Sequence, residues 1–255
     1  MTVTILGQEL EAVTLDEAVD QIVALVGRGG IIVTMNVDHA VLLERHSGLQ
    51  EAYRRARHRY ADGMPILWLA WWLRTPLPAR VTGADLLPAV LTRAELQGLS
   101  VHLVGGSEAT GMAARKRAAA MHPQLRWTGQ VSPPFGFEKS PELDAEVVAG
   151  VAACDPDIVL VCLGAPKQEE WAVRHAASMP RAALLCIGAA VDFYAGTAAR
   201  APLWVRRAGF EWVFRLLQEP GRLWRRYLVQ DARFLVLALT ELRRRRRDDR
   251  PVDAA

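Results

Sequence analysis

The segment YADGMPI (residues 60–66) places one carboxylate, Asp62, between a short strand-like run and a strongly apolar stretch. A carboxylate that faces an apolar wall is poorly hydrated, which raises its pKa and suits it to accept a proton near neutral pH. An aspartate before a glycine is also common in ordinary turns. Asp62 is therefore a candidate general base, with a turn residue as the alternative.

A second group of small polar side chains lies in TMNVDHA (residues 34–40), after an apolar strand-like run. At the end of a strand, Thr34 and Asn36 can hydrogen-bond to a ligand. Capping of the next helix is the alternative role for this group, and it suits Asp38 well. The pattern leaves both roles open.

The segment RVTGADL (residues 80–86) combines Arg80 with a glycine turn and the start of a helix. A guanidinium and a helix N-terminus both attract phosphate, so Arg80 is a candidate for a phosphate contact. Asp85 is a candidate either for a ligand contact or for a helix cap.

Glycines close two further strands, in LVGGS (residues 103–107) and in LGAPKQEEW (residues 163–171). Gly105 would let a nucleotide approach the backbone closely, although LVGGS is neither a GxGxxG motif nor a P-loop and a simple turn is the alternative. Gly164 precedes Lys167 and Gln168, which are candidates for contact with a diphosphate or with sugar hydroxyls. A capped surface helix is the alternative there.

The sequence offers no motif for metal binding or covalent catalysis. Its histidines lack zinc-site spacing, no DxD pattern follows a strand, and no GxSxG segment is present. The three cysteines form no CxxC pair, and their sparse, odd number fits a reducing compartment. We therefore expect no metal and no cofactor.

Strand-like and helical stretches alternate over residues 1–198. The strands are almost continuously apolar, which predicts a parallel sheet covered by helices on both faces. The expected fold class is α/β with a Rossmann-like sheet, whose ligands bind outside the carboxyl ends of the strands. A capping box, formed by Thr14 and Glu17, is expected at the start of the first helix.

The charge of the chain is divided unevenly. Residues 1–199 carry 17 basic and 21 acidic side chains, whereas residues 200–250 carry 14 arginines and 6 acidic side chains. Such a basic segment favours an anionic partner, which could be lipid headgroups, phosphates or nucleic acid. No apolar run reaches the roughly 20 residues that a membrane span needs, and the N-terminus lacks a signal-peptide pattern.

We divide the chain into an α/β core (residues 1–198), a basic helical appendage (residues 199–247) and a tail predicted to be disordered (residues 248–255). Apolar side chains recur among the arginines of the appendage, which makes it amphipathic. Helices are predicted over 204–218 and 222–247, separated by a break at the proline and glycine of residues 219–221.

Taken together, these segments resemble the WecG/TagA/CpsF family of glycosyltransferases. The resemblance covers roughly residues 2–240 and rests on ordered blocks: TMNVDHA, YADGMPI, RVTGADL, LVGG, LGAPKQEEW, GAAVDFYAG and FEWVFRLLQEPGRLWRRYL. It implies transfer of a sugar from a UDP-sugar to a polyprenyl-diphosphate-linked sugar at the inner face of a bacterial membrane. The implied donors are of the N-acetylmannosamine type or a related hexose or uronic acid, for teichoic acid, capsule or exopolysaccharide.

The resemblance also implies roles for individual residues. Asp62 falls on the family's base, and Arg80 falls on an arginine thought to meet the diphosphate. The remaining substrate contacts are expected at Thr34, Asn36, Asp85, Gly105, Gly164, Gln168 and Asp192, and the contacts to the acceptor diphosphate or the membrane at Arg215, Arg222 and Arg225.

These assignments agree with the chemistry of a metal-independent, inverting transfer. The departing UDP needs positive charge, which arginines can supply, and the acceptor hydroxyl needs a base. The basic appendage would dock to the anionic inner surface of the membrane, so the enzyme is expected to be cytoplasmic and peripheral. Homodimers or homotrimers are expected off the membrane, where an apolar appendage face can self-associate.

Two other functions compete with this hypothesis. A nucleotide-sugar epimerase would use the same strand ends but would leave the basic appendage unexplained. A non-enzymatic nucleic-acid-binding module would explain the arginines. Because the sequence contains no DNA- or RNA-binding motif and its positive charge is confined to the appendage, we expect no nucleic-acid partner.

Overall fold

The computed structural model of the chain describes residues 1–248, except for the side chains of Arg222, Arg226 and Asp248. The tail predicted to be disordered, residues 248–255, lies outside the described residues apart from the backbone of its first residue.

Six parallel strands form the central sheet, in the spatial order β4-β3-β8-β7-β5-β6, and a separate antiparallel hairpin, β1-β2, precedes them. The predicted α/β fold with a parallel sheet is therefore confirmed. The strands are β1 (Thr2–Ile5), β2 (Gln8–Glu11), β3 (Gly30–Met35), β4 (His58–Ala61), β5 (Ser100–Gly105), β6 (Arg126–Val131), β7 (Ile158–Cys162) and β8 (Ala183–Cys186).

Helices cover both faces of this sheet. They are α1 (Leu15–Val23), α2 (Val37–Leu42), α3 (Ser47–Arg55), α4 (Met64–Trp72), α5 (Gly83–Leu96), α6 (Glu108–Met121), α7 (Pro141–Ala153), α8 (Lys167–His175) and α9 (Ala190–Ala195) in the core region. The appendage contains α10 (Leu203–Arg207), α11 (Glu211–Gln218), α12 (Pro220–Arg225), a π-helical turn (Arg226–Gln230) and α13 (Arg233–Asp248).

The hydrophobic core consists of two clusters, one on each face of the sheet. The first joins the strands to α2, α3, α4, α7, α8 and α13, and the second joins them to α1, α5, α6 and α9. Because helices cover both faces of the sheet, successive side chains of a strand are buried on one face or the other. This explains the continuous apolar runs in the sequence. The capping box of α1 is present as predicted, with Thr14 and Glu17 bonded reciprocally.

The appendage departs from its predicted helices. A single helix was expected over 222–247, but the chain changes direction at residues 231–232 before α13 begins. Two anchors on the core require this turn: Arg233 forms a bidentate ion pair with Glu44 at 3.0 Å, and Phe234 is buried in the first core cluster. The expected break at Pro220 is short, because proline lacks an N–H group and fits the first position of α12.

Candidate active site

The carboxyl ends of β3 and β4 bring Asp62 next to the strand that carries Thr34. Asp62 directly follows β4, and its backbone N–H donates to the Met35 carbonyl at 2.7 Å, which fixes the residue against the end of β3. Gly63 then takes a φ of +125°, a conformation that favours glycine, and the chain enters the apolar helix α4. The sequence therefore gives Asp62 one position at the edge of the sheet.

The environment of Asp62 suits a proton acceptor. Burial raises the pKa of Asp62 to about 6; the Arg80 guanidinium opposes this rise and the Glu211 carboxylate adds to it. Within residues 1–248 Asp62 forms no ion pair, so its carboxylate is held near an arginine without being bound by it. Such a group is largely ionised at neutral pH yet basic enough to remove a proton from a hydroxyl in a transition state.

An arginine–carboxylate network, formed by Arg80, Asp85, Arg200 and Glu211, lies beside Asp62. Glu211 connects the two arginines: its Oε2 is 3.1 Å from Nη1 of Arg80, and its Oε1 is 3.4 Å from Nε of Arg200. Arg200 in turn contacts Asp85 at 2.7 Å between Nη1 and Oδ1. Because Glu211 belongs to α11, the appendage contributes a charged group to the edge of the sheet.

Asp85 orders the start of α5 and the position of Arg200. Its backbone N–H donates to Thr82 Oγ1 at 3.1 Å, and the Thr82 hydroxyl donates to its carboxylate at 2.8 Å. Burial opposes ionisation of Asp85, but hydrogen bonds from Arg200 and Thr82 outweigh it and hold the pKa of this carboxyl below its usual value. Direct contact between Asp85 and a substrate stays a prediction.

Asn36, and not Asp38, caps helix α2. The helix begins at Val37, so Asn36 precedes it and accepts the His39 N–H through Oδ1 at 3.0 Å. The prediction that Asp38 suits the cap was wrong, because Asp38 already lies in the first turn of the helix. Thr34 is buried in β3, opposite Tyr60 of β4.

Gln168 joins the ends of two neighbouring strands. Its Oε1 accepts the Gly188 N–H at 2.8 Å, so α8, which follows β7, is bonded to the turn that follows β8. The side chain is only 4% exposed, and its Nε2 donates to Glu169 at 2.6 Å. Gln168 is thus more deeply buried than the sequence led us to expect. Gly164 turns the chain after β7 with a φ of +77°.

A cavity of about 300 Å³ lies between the core and the appendage, beyond the turn that Gly105 forms after β5. Asp192 lines it and accepts a hydrogen bond from Thr110 at 3.1 Å between Oδ1 and Oγ1. Arg215 of α11 also lines the cavity, and its guanidinium is 5.1 Å from the Phe193 ring centroid. The cavity therefore brings a carboxylate, hydroxyls and a cation together.

The other two predicted arginines of the appendage are less informative. Arg225 has an exposed side chain on α12. The side chain of Arg222 lies outside the described residues. In the part of the chain that the structure describes, no three His, Cys, Asp or Glu side chains come together as a metal site would require.

A family model described as "Glycosyl transferase WecG/TagA/CpsF family" matches residues 3–248. The chain belongs to the WecG/TagA/CpsF glycosyltransferase family. The match extends through the core and the whole appendage, residues 199–247.

Curated relatives of this glycosyltransferase include two Staphylococcus aureus proteins, from strains MRSA252 and MW2. Each is named N-acetylglucosaminyldiphosphoundecaprenol N-acetyl-beta-D-mannosaminyltransferase. Each is 26% identical over 227 residues, which cover 88% of this chain and 87% of the relative.

Two charged residues of the glycosyltransferase site, Arg200 and Glu211, were missed by the sequence reasoning. Glu211 lies 131 residues after Arg80, so no local spacing connects them. One signal was present: Glu211 is an acidic residue inside a segment dominated by arginine. The net positive charge of that segment conceals the carboxylate that anchors it to the core.

We predict that Asp62→Asn stabilises the fold at neutral pH. The raised pKa means that ionised Asp62 is less favourable in the folded than in the unfolded chain, so the wild type loses stability as pH rises from about 4 to about 6. Asparagine avoids this loss of stability. A pKa raised by about two units corresponds to a free energy on the order of 2–3 kcal/mol. The difference in unfolding free energy between Asp62→Asn and the wild type should be absent below about pH 4, increase up to about pH 6 and then stay constant.

Thermal unfolding measured across pH checks this prediction. Asp16→Asn, which changes an exposed aspartate in α1, serves as the matched control and should change the melting temperature little at any pH. An Asp62→Asn variant that is less stable than the wild type at pH 8 would show that Asp62 is not desolvated in the folded protein.

Proposed function

We propose that this protein is an inverting glycosyltransferase that moves a sugar from a UDP-sugar to a polyprenyl-diphosphate-linked sugar. The proposed donor sugar is of the N-acetylmannosamine type or a related hexose or uronic acid, and the product would enter a teichoic-acid-type or other surface polysaccharide. The observation that carries the proposal is the desolvated Asp62 carboxylate beside Arg80 at the carboxyl edge of the sheet. The names of the curated relatives support the lipid-linked acceptor.

In the proposed reaction, ionised Asp62 accepts the proton of an acceptor hydroxyl. The hydroxyl oxygen then forms a bond to the anomeric carbon of the donor, and the bond from that carbon to the β-phosphate oxygen breaks from the opposite side. UDP departs with the electron pair, and the anomeric configuration is inverted. One carboxylate is sufficient for this single displacement, because no covalent sugar–enzyme intermediate is formed.

Arginines supply the charge that the departing diphosphate needs. Arg80 is partly exposed at the edge of the sheet and already held by Glu211, so its guanidinium is positioned before the donor arrives. Preorganised cations of this kind stabilise developing negative charge without further reorganisation. No metal ion is required in this scheme, and metal independence is part of the proposal.

The donor would lie along the carboxyl ends of β5, β7 and β8. Gly164 leaves the backbone open there, whereas a side chain at Gly105 would meet the Cys162 carbonyl, so Gly105 allows β5 and β7 to pack closely. The cavity lined by Asp192 and Arg215 offers polar groups to the nucleotide or the sugar. Binding outside the carboxyl ends of parallel strands is the general rule for sheets of this type.

The acceptor is proposed to arrive from a membrane to which the appendage and α4 dock. Helix α4 begins two residues after Asp62, and Trp71 on its outer side is 68% exposed. Trp204 of α10 is 72% exposed, and residue Gly209 after α10 packs against Trp68 of α4. Tryptophan favours the headgroup region of a bilayer, and each arginine near an anionic surface adds about 1 kcal/mol.

No helix in residues 1–248 is long and apolar enough to cross a bilayer. The proposed association with the inner face of the cytoplasmic membrane is therefore peripheral. Off the membrane, the same apolar side chains would favour the homodimers or homotrimers expected from the sequence.

The transfer reaction tests the proposal. Purified enzyme is given a panel of UDP-sugars and a lipid-diphosphate-linked N-acetylglucosamine acceptor, with and without EDTA. We expect transfer that survives EDTA, inverts the anomeric centre, and falls about 10²–10⁴-fold in Asp62→Asn, the range usual for loss of a general base. Asp16→Asn should keep wild-type activity.

A different result of this assay would refute each part of the proposal. Transfer that persists in Asp62→Asn would remove Asp62 as the base. Loss of transfer in EDTA would refute metal independence, and retention of configuration would refute the single displacement. Conversion of UDP-sugar without transfer to any acceptor would favour the epimerase.

Membrane docking has a separate prediction. The double variant Trp71→Glu/Trp204→Glu should bind vesicles containing anionic phospholipid more than about tenfold more weakly, because burying two exposed tryptophans in the headgroup region contributes several kcal/mol. Leu96→Glu is the matched control, since Leu96 is exposed at the end of α5 farthest from the site. Sedimentation with vesicles measures the bound fraction, and equal binding of both variants would contradict this docking surface.

A further inference from the structure

Four buried side chains form a polar network beneath the proposed donor site. Glu169 is 0% exposed and accepts the Gln168 amide N–H at 2.6 Å through Oε1. The same Oε1 lies 3.6 Å from Nε2 of His39, whose Nδ1 is 2.8 Å from the Tyr53 hydroxyl. We refer to His39, Tyr53, Gln168 and Glu169 as the buried polar network.

Fold stability does not explain why an acid occupies position 169. Oε2 of Glu169 has no hydrogen-bond partner among the described residues, and burial raises the pKa of Glu169 to about 7 although the hydrogen bond from Gln168 opposes the rise. A carboxylate that is buried and only partly satisfied is costly, and an apolar side chain of similar size is often as stable or more so. Glu169 must therefore provide something other than packing.

The network connects three adjacent strand ends. After β3, the backbone N–H of His39 donates to the Asn36 side chain, which holds His39 at the start of α2. After β8, the Gly188 N–H donates to Gln168, and Gln168 and Glu169 themselves follow β7. Since β3, β8 and β7 are neighbours in the sheet, the network spans the middle of its carboxyl edge.

Glu169 determines which way the Gln168 amide faces. An amide presents a donor at one end and an acceptor at the other. If the amide were turned over, its NH₂ group would meet the Gly188 N–H and its oxygen would meet the Glu169 carboxylate, which gives two repulsive contacts. The carboxylate thus directs the amide oxygen towards Gly188.

We propose that Glu169 is a positioning residue for donor binding. By accepting the hydrogen bond of Gln168 it fixes the Gly188 turn, so that the ends of β7 and β8 meet the UDP moiety in one arrangement. This inference rests on the proposed function, because it requires that UDP binds at this edge.

The test measures the affinity for UDP by calorimetry, together with thermal stability and the KM for the donor. Glu169→Leu removes the acceptor and should weaken UDP binding and raise KM by about tenfold, the equivalent of about 1.4 kcal/mol. Glu169→Gln keeps an oxygen for Gln168 and should restore affinity to near the wild-type value. This rescue separates positioning from a general loss of packing.

Asp144→Asn is the matched control. Asp144 is another buried carboxylate in the same layer, where it accepts the Trp171 indole N–H at 3.0 Å and pairs with Arg174 and His175, away from the strand ends. We expect this variant to lower the melting temperature and to leave UDP affinity unchanged.

A double variant keeps the test decisive if Glu169→Leu alone does not fold. Gln168→Met/Glu169→Leu replaces both polar side chains together, so neither side chain is left unsatisfied, although the Gly188 N–H loses its acceptor, as it does in Gln168→Met. If Glu169 acts through Gln168, the double variant should bind UDP as weakly as Gln168→Met and no more weakly.

Three results would overturn the inference while the wild type binds UDP: unchanged affinity in folded Glu169→Leu, equal losses in the Leu and Gln variants, or additive losses in the double variant. A wild-type enzyme that does not bind UDP would instead refute the proposed function, and the inference with it.

Discussion

The partial withdrawal of the Asp62 carboxylate from water is the physical constraint on which the proposed site depends. Several parts of the fold combine to impose it: the backbone bond to Met35, the positive φ of Gly63 and the apolar helix α4 that follows. The same arrangement brings Arg80 close enough to limit the cost of burial. A carboxylate in water would be too weak a base, and one isolated in the core would stay protonated at neutral pH.

Electrostatic pairing links this site to the last quarter of the chain. Glu211 connects Arg80 with Arg200, so the appendage is fixed to the core by charge at the point where the proposed chemistry occurs. At its other end, Arg233 and Phe234 fix α13 to the side of α2. The appendage thus contributes to the candidate site as well as to the proposed contact with the membrane. In the proposed reaction, docking and catalysis use neighbouring parts of one structure.

The parallel sheet and the placement of the candidate residues at its strand ends could be predicted from the sequence, because apolar strand runs and strand-end glycines are local signals. Local sequence signals did not predict the features that depend on tertiary contacts. The turn before α13 depends on the ion pair of Arg233, and the roles of Glu211 and Glu169 depend on partners distant in the sequence. In KQEEW, Glu169 looks like one of two surface acids at a helix start, and only the packing of α8 against β8 shows that it is buried.

The pH dependence of kcat/KM for sugar transfer tests the central claim most directly. A base with the pKa of Asp62 should make kcat/KM rise through a single ionisation near pH 6 and reach a plateau above it. Glu211→Gln removes a nearby negative charge that raises this pKa, so it should move the same rise to lower pH. A rate that is independent of pH between about 5 and 8 in the wild type would contradict the assignment of a desolvated Asp62 as the base.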